Sequence, residues 1–175
     1  MQNAIKLPFN LILSRLKGSF MAFCIKGLNP EPFKHYYGQS DDYLAQHGVV
    51  RYQVDCTPGF PDRIEMRDLK VGETALLLNY QHLDTTSPYR SQHAIFICEG
   101  AIKAHCSIDH IPEVMHRRVL SIRAFERNDF ILDADLAQGD HIAPMIEQFF
   151  ANPDVCYIHA HYAKPGCLAA KIERV

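Results

Sequence analysis

The run Val155–Arg174, VCYIHAHYAKPGCLAAKIER, concentrates more polar chemistry than any other part of the chain. His159 and His161 stand two residues apart in an apolar, β-prone segment. Side chains alternate faces along a strand, so both imidazoles project from one surface. A Pro-Gly turn follows, and Cys167 opens a second strand-like run. Two same-face imidazoles are two of the ligands a metal needs, with Cys167 or a distant Asp available to complete the set. The same residues also allow covalent chemistry, with Cys167 as nucleophile and His161 as its partner. The alternative is structural: the two are sheet histidines, partly buried and hydrogen-bonded to their neighbours.

Strand register separates these readings. A two-residue Pro165-Gly166 loop pairs His161 with Ala170 and His159 with Ile172, and leaves Cys167 on the opposite face. One more loop residue pairs His159 with Glu173 and His161 with Lys171, and brings Cys167 onto the histidine face. Pro-Gly suits a type II turn, which fits poorly between tightly twisted two-residue hairpin strands, so the second register is expected.

A second group of binding residues lies in the polar loop DTTSPYRS, Asp84–Ser91, between the two most apolar runs. Tyr89 and Arg90 have the chemistry to hold an anionic or carboxylate ligand, because arginine presents a planar fork of donors. The alternative pairs Arg90 with Asp84. Arg63 follows the rigid turn TPGFPD and offers a second cation; such a turn also serves simply to shape a strand crossing. His105, Cys106, Asp109 and His110 are ligand-type residues at spacings that match no metal site and read as an ordinary polar loop. Arg117 and Arg118 sit where they would answer a short helix's dipole.

These groups need elements to position them. Strands are expected over residues 20–28, 49–55, 63–67, 73–82, 93–98, 119–125, 129–135 and in the terminal hairpin. Residues 99–111 read as irregular. Short helices are expected after Asn29-Pro30, over Asp41–His47 with Ser40 as cap, and from Pro112 to Arg118. The clearest helix runs from Asp140, as cap, to about Ala151: Ile142, Met145, Ile146, Phe149 and Phe150 mark one buried face. Strands outnumber helices and connections are short. The fold class is therefore α+β: a single domain, largely antiparallel β-sheet, with a few short helices and one longer amphipathic helix packed on it.

The bulk numbers narrow the function. A chain of 175 residues with 47% hydrophobic and 22% charged residues fits one ordinary globular domain. A net charge of −2 makes no electrostatic case for nucleic acid or an anionic membrane. The apolar run Leu7–Leu13 is too short to span a bilayer and contains Pro8 and Asn10, and no small-residue cleavage site follows it. Six cysteines occur without a C-x-x-C pair, which points to a reduced, cytoplasmic protein. Residues 1–20 read as an amino-terminal extension, because Met21 begins a clean strand-like segment.

From Met21 onward the order of segments is GLNPEPF, SDDYLAQHG, PGFPDRI, VGETALLLNYQH, SPYRSQHAIFI, LSIRAF, ILDAD and IHAHYAKPGCLAAKIER. In combination these pieces resemble the uncharacterised bacterial domain-of-unknown-function family DUF1203, over residues 21–175. The resemblance implies a compact domain without an established activity. It singles out Arg63 at the PGFP turn, Tyr89 and Arg90 in the SPYR loop, and His161 with Cys167 at the PGC turn. Two departures stand out: Asp62 where cysteine is common in the family, and Gln92 and His93 where small residues are common. His159 is not part of the resemblance.

The resulting expectation is a domain that binds an anionic small molecule, with enzymatic turnover and any cofactor left open. The SPYR loop, Arg63 and the terminal hairpin would form its pocket. Arg63 and Arg90 would hold the anion, Tyr89 would orient it, and His161 would act as acid, base or hydrogen-bond donor. Two alternatives stand beside it. One is a metal-binding protein using His159, His161 and Cys167. The other is a non-enzymatic interaction domain, a homodimer joined through an edge strand or the apolar amino-terminal segment.

Overall fold

Alternating and continuous apolar runs become two antiparallel sheets in the computed structural model, which describes residues 22–175. The amino-terminal extension read over residues 1–20 lies outside the described residues. The larger sheet is built from β1 (Phe23–Lys26), β5 (Cys106–Ile108), β6 (Leu120–Phe125), β7 (Ile131–Ala137), β8 (Tyr157–Tyr162) and β9 (Leu168–Arg174), in the order β5-β1-β9-β8-β6-β7. The smaller sheet contains β2 (Val50–Gln53), β3 (Thr74–Leu83) and β4 (Ser91–Cys98), in the order β2-β3-β4. The α+β class is as expected, with the strands divided between two sheets.

Short helices occupy the connections. A 3-10 helix, Glu31–Tyr36, starts at Pro30. Helix α1 (Asp41–Gln46) is capped by Ser40, whose side chain accepts a hydrogen bond from the Tyr43 amide, and two acids in its first turn favour its positive end. Helix α2 spans Glu113–His116. The amphipathic helix α3 runs from Ile142 to Phe150 and buries Ile142, Ile146, Phe149 and Phe150 against β6 and β7. Each such side chain contributes roughly 1.5–3 kcal/mol on leaving water. Asp140 does not cap this helix: its carboxylate lies 3.0 Å from His116 Nε2, and the 3-10 turn Gly139–His141 leads in instead.

Two local expectations are corrected. Residues 63–67 are not a strand. Asp62 accepts hydrogen bonds from the amides of Ile64 and Glu65, a local closure that competes with a sheet ladder. The segment keeps only isolated bridges, Pro61 to Asp68 and Asp62 to Phe96. The second correction is β5, in the stretch read as irregular. Its three residues carry too little pattern, and pairing with β1 creates the strand.

Buried residues of both sheets and of α3 form one core cluster, including Ile25, Leu76, Ile97, Ile122, Ile146 and Ile158. Among the described residues, no helix is long and apolar enough to cross a membrane.

The loop after Asp62 is clipped to the start of β3. Arg67 places both terminal nitrogens on Glu73, at 2.6 and 2.8 Å, and its Nε on Glu65 at 2.7 Å. The Arg67 guanidinium pulls the Glu73 carboxyl down to about 2, from 4.5. A carboxyl depressed in the folded state stabilises fully above its unfolded value and loses that contribution as pH falls. Glu73→Gln is therefore expected to lower stability by about 1 kcal/mol at neutral pH, the partly exposed setting limiting the effect. It should also flatten the loss of stability between pH 4.5 and about 2, measured by chemical denaturation at stepped pH. An unchanged acid limb would show that the clip contributes nothing.

Candidate functional site

The terminal hairpin adopts neither expected register. Its loop covers residues 163–166: Tyr162 N–H donates to Cys167 O at 3.0 Å, and Gly166 N–H to Tyr162 O at 2.8 Å. The second bond closes the turn, and Gly166, at φ 80°, takes the left-handed conformation there. His161 then pairs with Leu168, Ala160 with Ala170 and His159 with Lys171, so Ala169 is an extra residue at a bulge. The histidines share a face as alternation requires. Cys167 lies opposite Tyr162 and therefore on the other side of the strand.

This division creates two neighbouring environments. The first is a cavity of 570 Å³ between the end of the terminal hairpin, the Pro61–Arg63 segment, β4 and the residues after α2. Arg63 is 2% exposed. Its Nε donates to Leu168 O at 2.9 Å, one terminal nitrogen to Pro61 O, and the other to Cys167 Sγ at 3.1 Å. Among the described residues, no carboxylate lies within ion-pair distance of it. The guanidinium carbon is 4.8 Å from the centre of the Tyr162 ring, and that of Arg118 is 5.4 Å away. Burial pushes the Tyr162 phenol up to about 12, and its hydroxyl has no hydrogen-bond partner among the described residues. Arg118 is held by both oxygens of Asp68 and by Val114 O. Arg117, Lys164 and His93 also line the cavity, and no Asp or Glu does.

The second environment is a group of three histidines. His159 and His161, 2% exposed each, face His82 from the end of β3 in the other sheet. One ring nitrogen from each lies within 4.8 Å of the others. The His161 Nδ1–H donates to Gly166 O at 2.9 Å, and His82 Nε2 contacts Ser91 Oγ at 3.0 Å. Desolvation pulls His159 down to about 3 and His161 to about 4, and lowers His82 as well.

The structure thus brings Arg63 and Cys167 together and sets His159 and His161 in a separate group. No hydrogen bond joins Cys167 to His161 among the described residues. The SPYR loop stands apart from the 570 Å³ cavity. Tyr89 packs its ring near Phe125 and Phe130. Arg90, well exposed, pairs with Asp84 at 3.3 Å, the alternative considered for it above. Ser87 shapes the loop by accepting from Tyr89 N–H and donating to Asp129 O.

Sequence reasoning missed His82, Tyr162 and the second role of Arg118. Arg118 does bond a helix carbonyl, as its position implies, but its salt bridge is to Asp68, fifty positions away. No local signal marks such a partner. His82 carried only its place at the end of an apolar strand.

A family model described as "Protein of unknown function (DUF1203)" matches residues 59–174, a span that contains Arg63, all three histidines, Tyr162 and Cys167. No curated protein and no solved structure matches the chain.

Proposed function

This chain belongs to the DUF1203 family, and we propose that it binds a small anionic molecule in the cavity formed by Arg63, Arg118, Tyr162 and Cys167. The observation that carries the reading is Arg63: a buried guanidinium that bonds two backbone carbonyls and the Cys167 sulfur, with no carboxylate within ion-pair distance among the described residues. A buried charge without a counter-charge is costly, and an anion in the cavity would relieve that cost. The surroundings support it. Lys164 adds positive charge, Arg117 lines the wall while paired with Glu113 at 2.6 Å, the lining contains no carboxylate, and the Tyr162 hydroxyl is an unused donor among the described residues. A cavity of 570 Å³ accommodates a metabolite-sized ligand.

Arginine forks fit carboxylate and phosphate oxygens. The ligand class is therefore a phosphorylated metabolite or a di- or tricarboxylate. Arg63 and Arg118 would hold its charge while Tyr162 donates to one oxygen. Arg90 and Tyr89 lie outside this pocket and are not assigned to it.

The test is a thermal-shift screen of the full chain with inorganic phosphate, sugar phosphates and small polycarboxylates. At a hundredfold excess over Kd, binding stabilises by about 2.7 kcal/mol, or a rise of roughly 5–10 °C for a domain of this size. Lys164→Glu reverses an exposed charge at the cavity and should cut the shift sharply without altering the unliganded melting temperature. Wild-type protein that responds to none of these probes, or a Lys164→Glu variant that responds equally, would defeat the reading.

A further inference from the structure

We infer that His82, His159 and His161 form a binding site for a transition-metal dication of the zinc type, separate from the anion cavity and independent of it. Three ring nitrogens within 4.8 Å of one another, drawn from two sheets, surround one point. Zinc at 2.0–2.1 Å from tetrahedral ligands sets its donor atoms about 3.4 Å apart, so small side-chain rotations close the set. The protein supplies imidazole nitrogen only, a donor set suited to zinc, copper, iron or nickel and not to calcium or magnesium.

The hydrogen bonds around the group point to lone pairs without partners. Gly166 O can only accept, so His161 carries its proton on Nδ1 and keeps Nε2 free as a ligand. Ser91 Oγ holds His82 through Nε2, and the Tyr80 backbone steadies the same ring. His159 Nδ1 is buried and has no hydrogen-bond partner among the described residues, in a side chain that is 2% exposed. Unsatisfied buried nitrogen is expensive in a plain packed core, and a bound cation satisfies it. Cys167 takes no part, because its sulfur is bonded to Arg63 on the other side of the strand.

Three protein ligands leave a fourth position open, the arrangement of reactive rather than purely structural zinc sites. Arg123, the cross-strand partner of His159, is half-buried and hydrogen-bonds only to Ser121 among the described residues. It is placed to accompany an anionic fourth ligand, a hydroxide or a carboxylate. A hollow of 390 Å³ is lined by Gln81, Arg90, Ser91 and Gln92, of which Ser91 contacts His82 Nε2 at 3.0 Å.

The experiment begins with the full chain expressed in zinc-supplemented medium and purified without chelator, with metal measured by elemental analysis. About one zinc per chain is expected. Metal-free protein is then titrated with cobalt(II). Visible bands of four-coordinate cobalt should appear, without the near-ultraviolet band that a thiolate ligand produces. In His82→Ala the stoichiometry should fall close to zero while circular dichroism and the anion-induced thermal shift are retained. Cys167→Ser should keep its metal. If wild-type protein binds neither zinc nor cobalt stoichiometrically, the site does not exist. If His82→Ala holds metal as wild type does, or Cys167→Ser loses it, the assigned ligands are wrong. The wild-type cobalt spectrum decides the matter even if a variant fails to fold, and the anion screen succeeds or fails on other residues.

Discussion

Asp62→Ala is expected to remove about 3 kcal/mol of folding stability, a large share of the roughly 5–15 kcal/mol that holds a domain together. Asp62 is wholly buried. One carboxylate oxygen accepts from the amides of Cys98, at 2.8 Å, and Ile64, at 3.2 Å; the other accepts from Glu65 at 2.6 Å. Alanine would strand these donors, and each unsatisfied buried amide costs roughly 1–3 kcal/mol. The carboxylate's own desolvation, which raises its pKa, works in the opposite direction. The amide contacts outweigh it, because they are local, preformed and shared between the loop and β4. Asp62→Asn separates the two contributions. It keeps one acceptor oxygen for Cys98 and Ile64 and turns the other position into a donor facing Glu65, so its loss should be intermediate. Denaturant unfolding at pH 7 measures both. An alanine variant within 1 kcal/mol of wild type would mean that this carboxylate is not the fastener of the loop. The family resemblance marks Asp62 as a departure from a common cysteine; in this chain its role is structural, and it holds the residue beside it, Arg63, in the cavity wall.

Gly27→Ala is expected to be comparably damaging, for a different reason. A Cβ on residue 27 would lie 1.9 Å from Ile64 O and 2.8 Å from Ile64 C. These are backbone atoms, which no side-chain rotation can clear. The main chain is pinned on both sides: Gly27 N–H donates to His105 O at 2.9 Å, Leu28 N–H to Arg63 O at 2.7 Å, and His105 N–H to Ile64 O at 2.8 Å. To admit one methyl group, the end of β1 must part from the 63–64 segment and release some of these bonds. Overpacking of this kind costs about 1–3 kcal/mol, and each lost hydrogen bond adds about 1. The expected total is about 3 kcal/mol. Arg63 moves with the segment, so any surviving fold should also show a weakened anion-induced thermal shift. Gly48→Ala is the control. Gly48 has φ 68° and nothing within 4 Å of its missing Cβ, so alanine there meets only the left-handed backbone penalty of about 1–2 kcal/mol. If Gly27→Ala costs no more than Gly48→Ala, the close approach of the two backbones is not a constraint.

Much of the architecture was legible from residue pattern. Period-two alternation placed His159 and His161 on one face of β8, and they share that face. The spacing of Ile142, Ile146, Phe149 and Phe150 marked the buried stripe of α3, and Ser40 marked the start of α1. These readings succeed because alternation, helical stripes and caps are interactions among chain neighbours.

Other features depended on which surfaces meet. Asp62 captures nearby amides and cancels a strand that residue pattern suggested. A four-residue hairpin loop with a bulge puts Cys167 on the face of Tyr162, away from the histidines. Arg63 reaches Leu168 across 105 positions, and His82 meets β8 only because the smaller sheet packs against the larger. By itself, then, the sequence determined the α+β class, the shared face of two histidines and the types of residue available for chemistry. Tertiary structure alone decided that Arg63 would be buried with no carboxylate beside it among the described residues and that a third histidine would join the other two. The physical reason is that local preference acts over a few residues, whereas burial and ligand geometry arise where distant faces exclude water together.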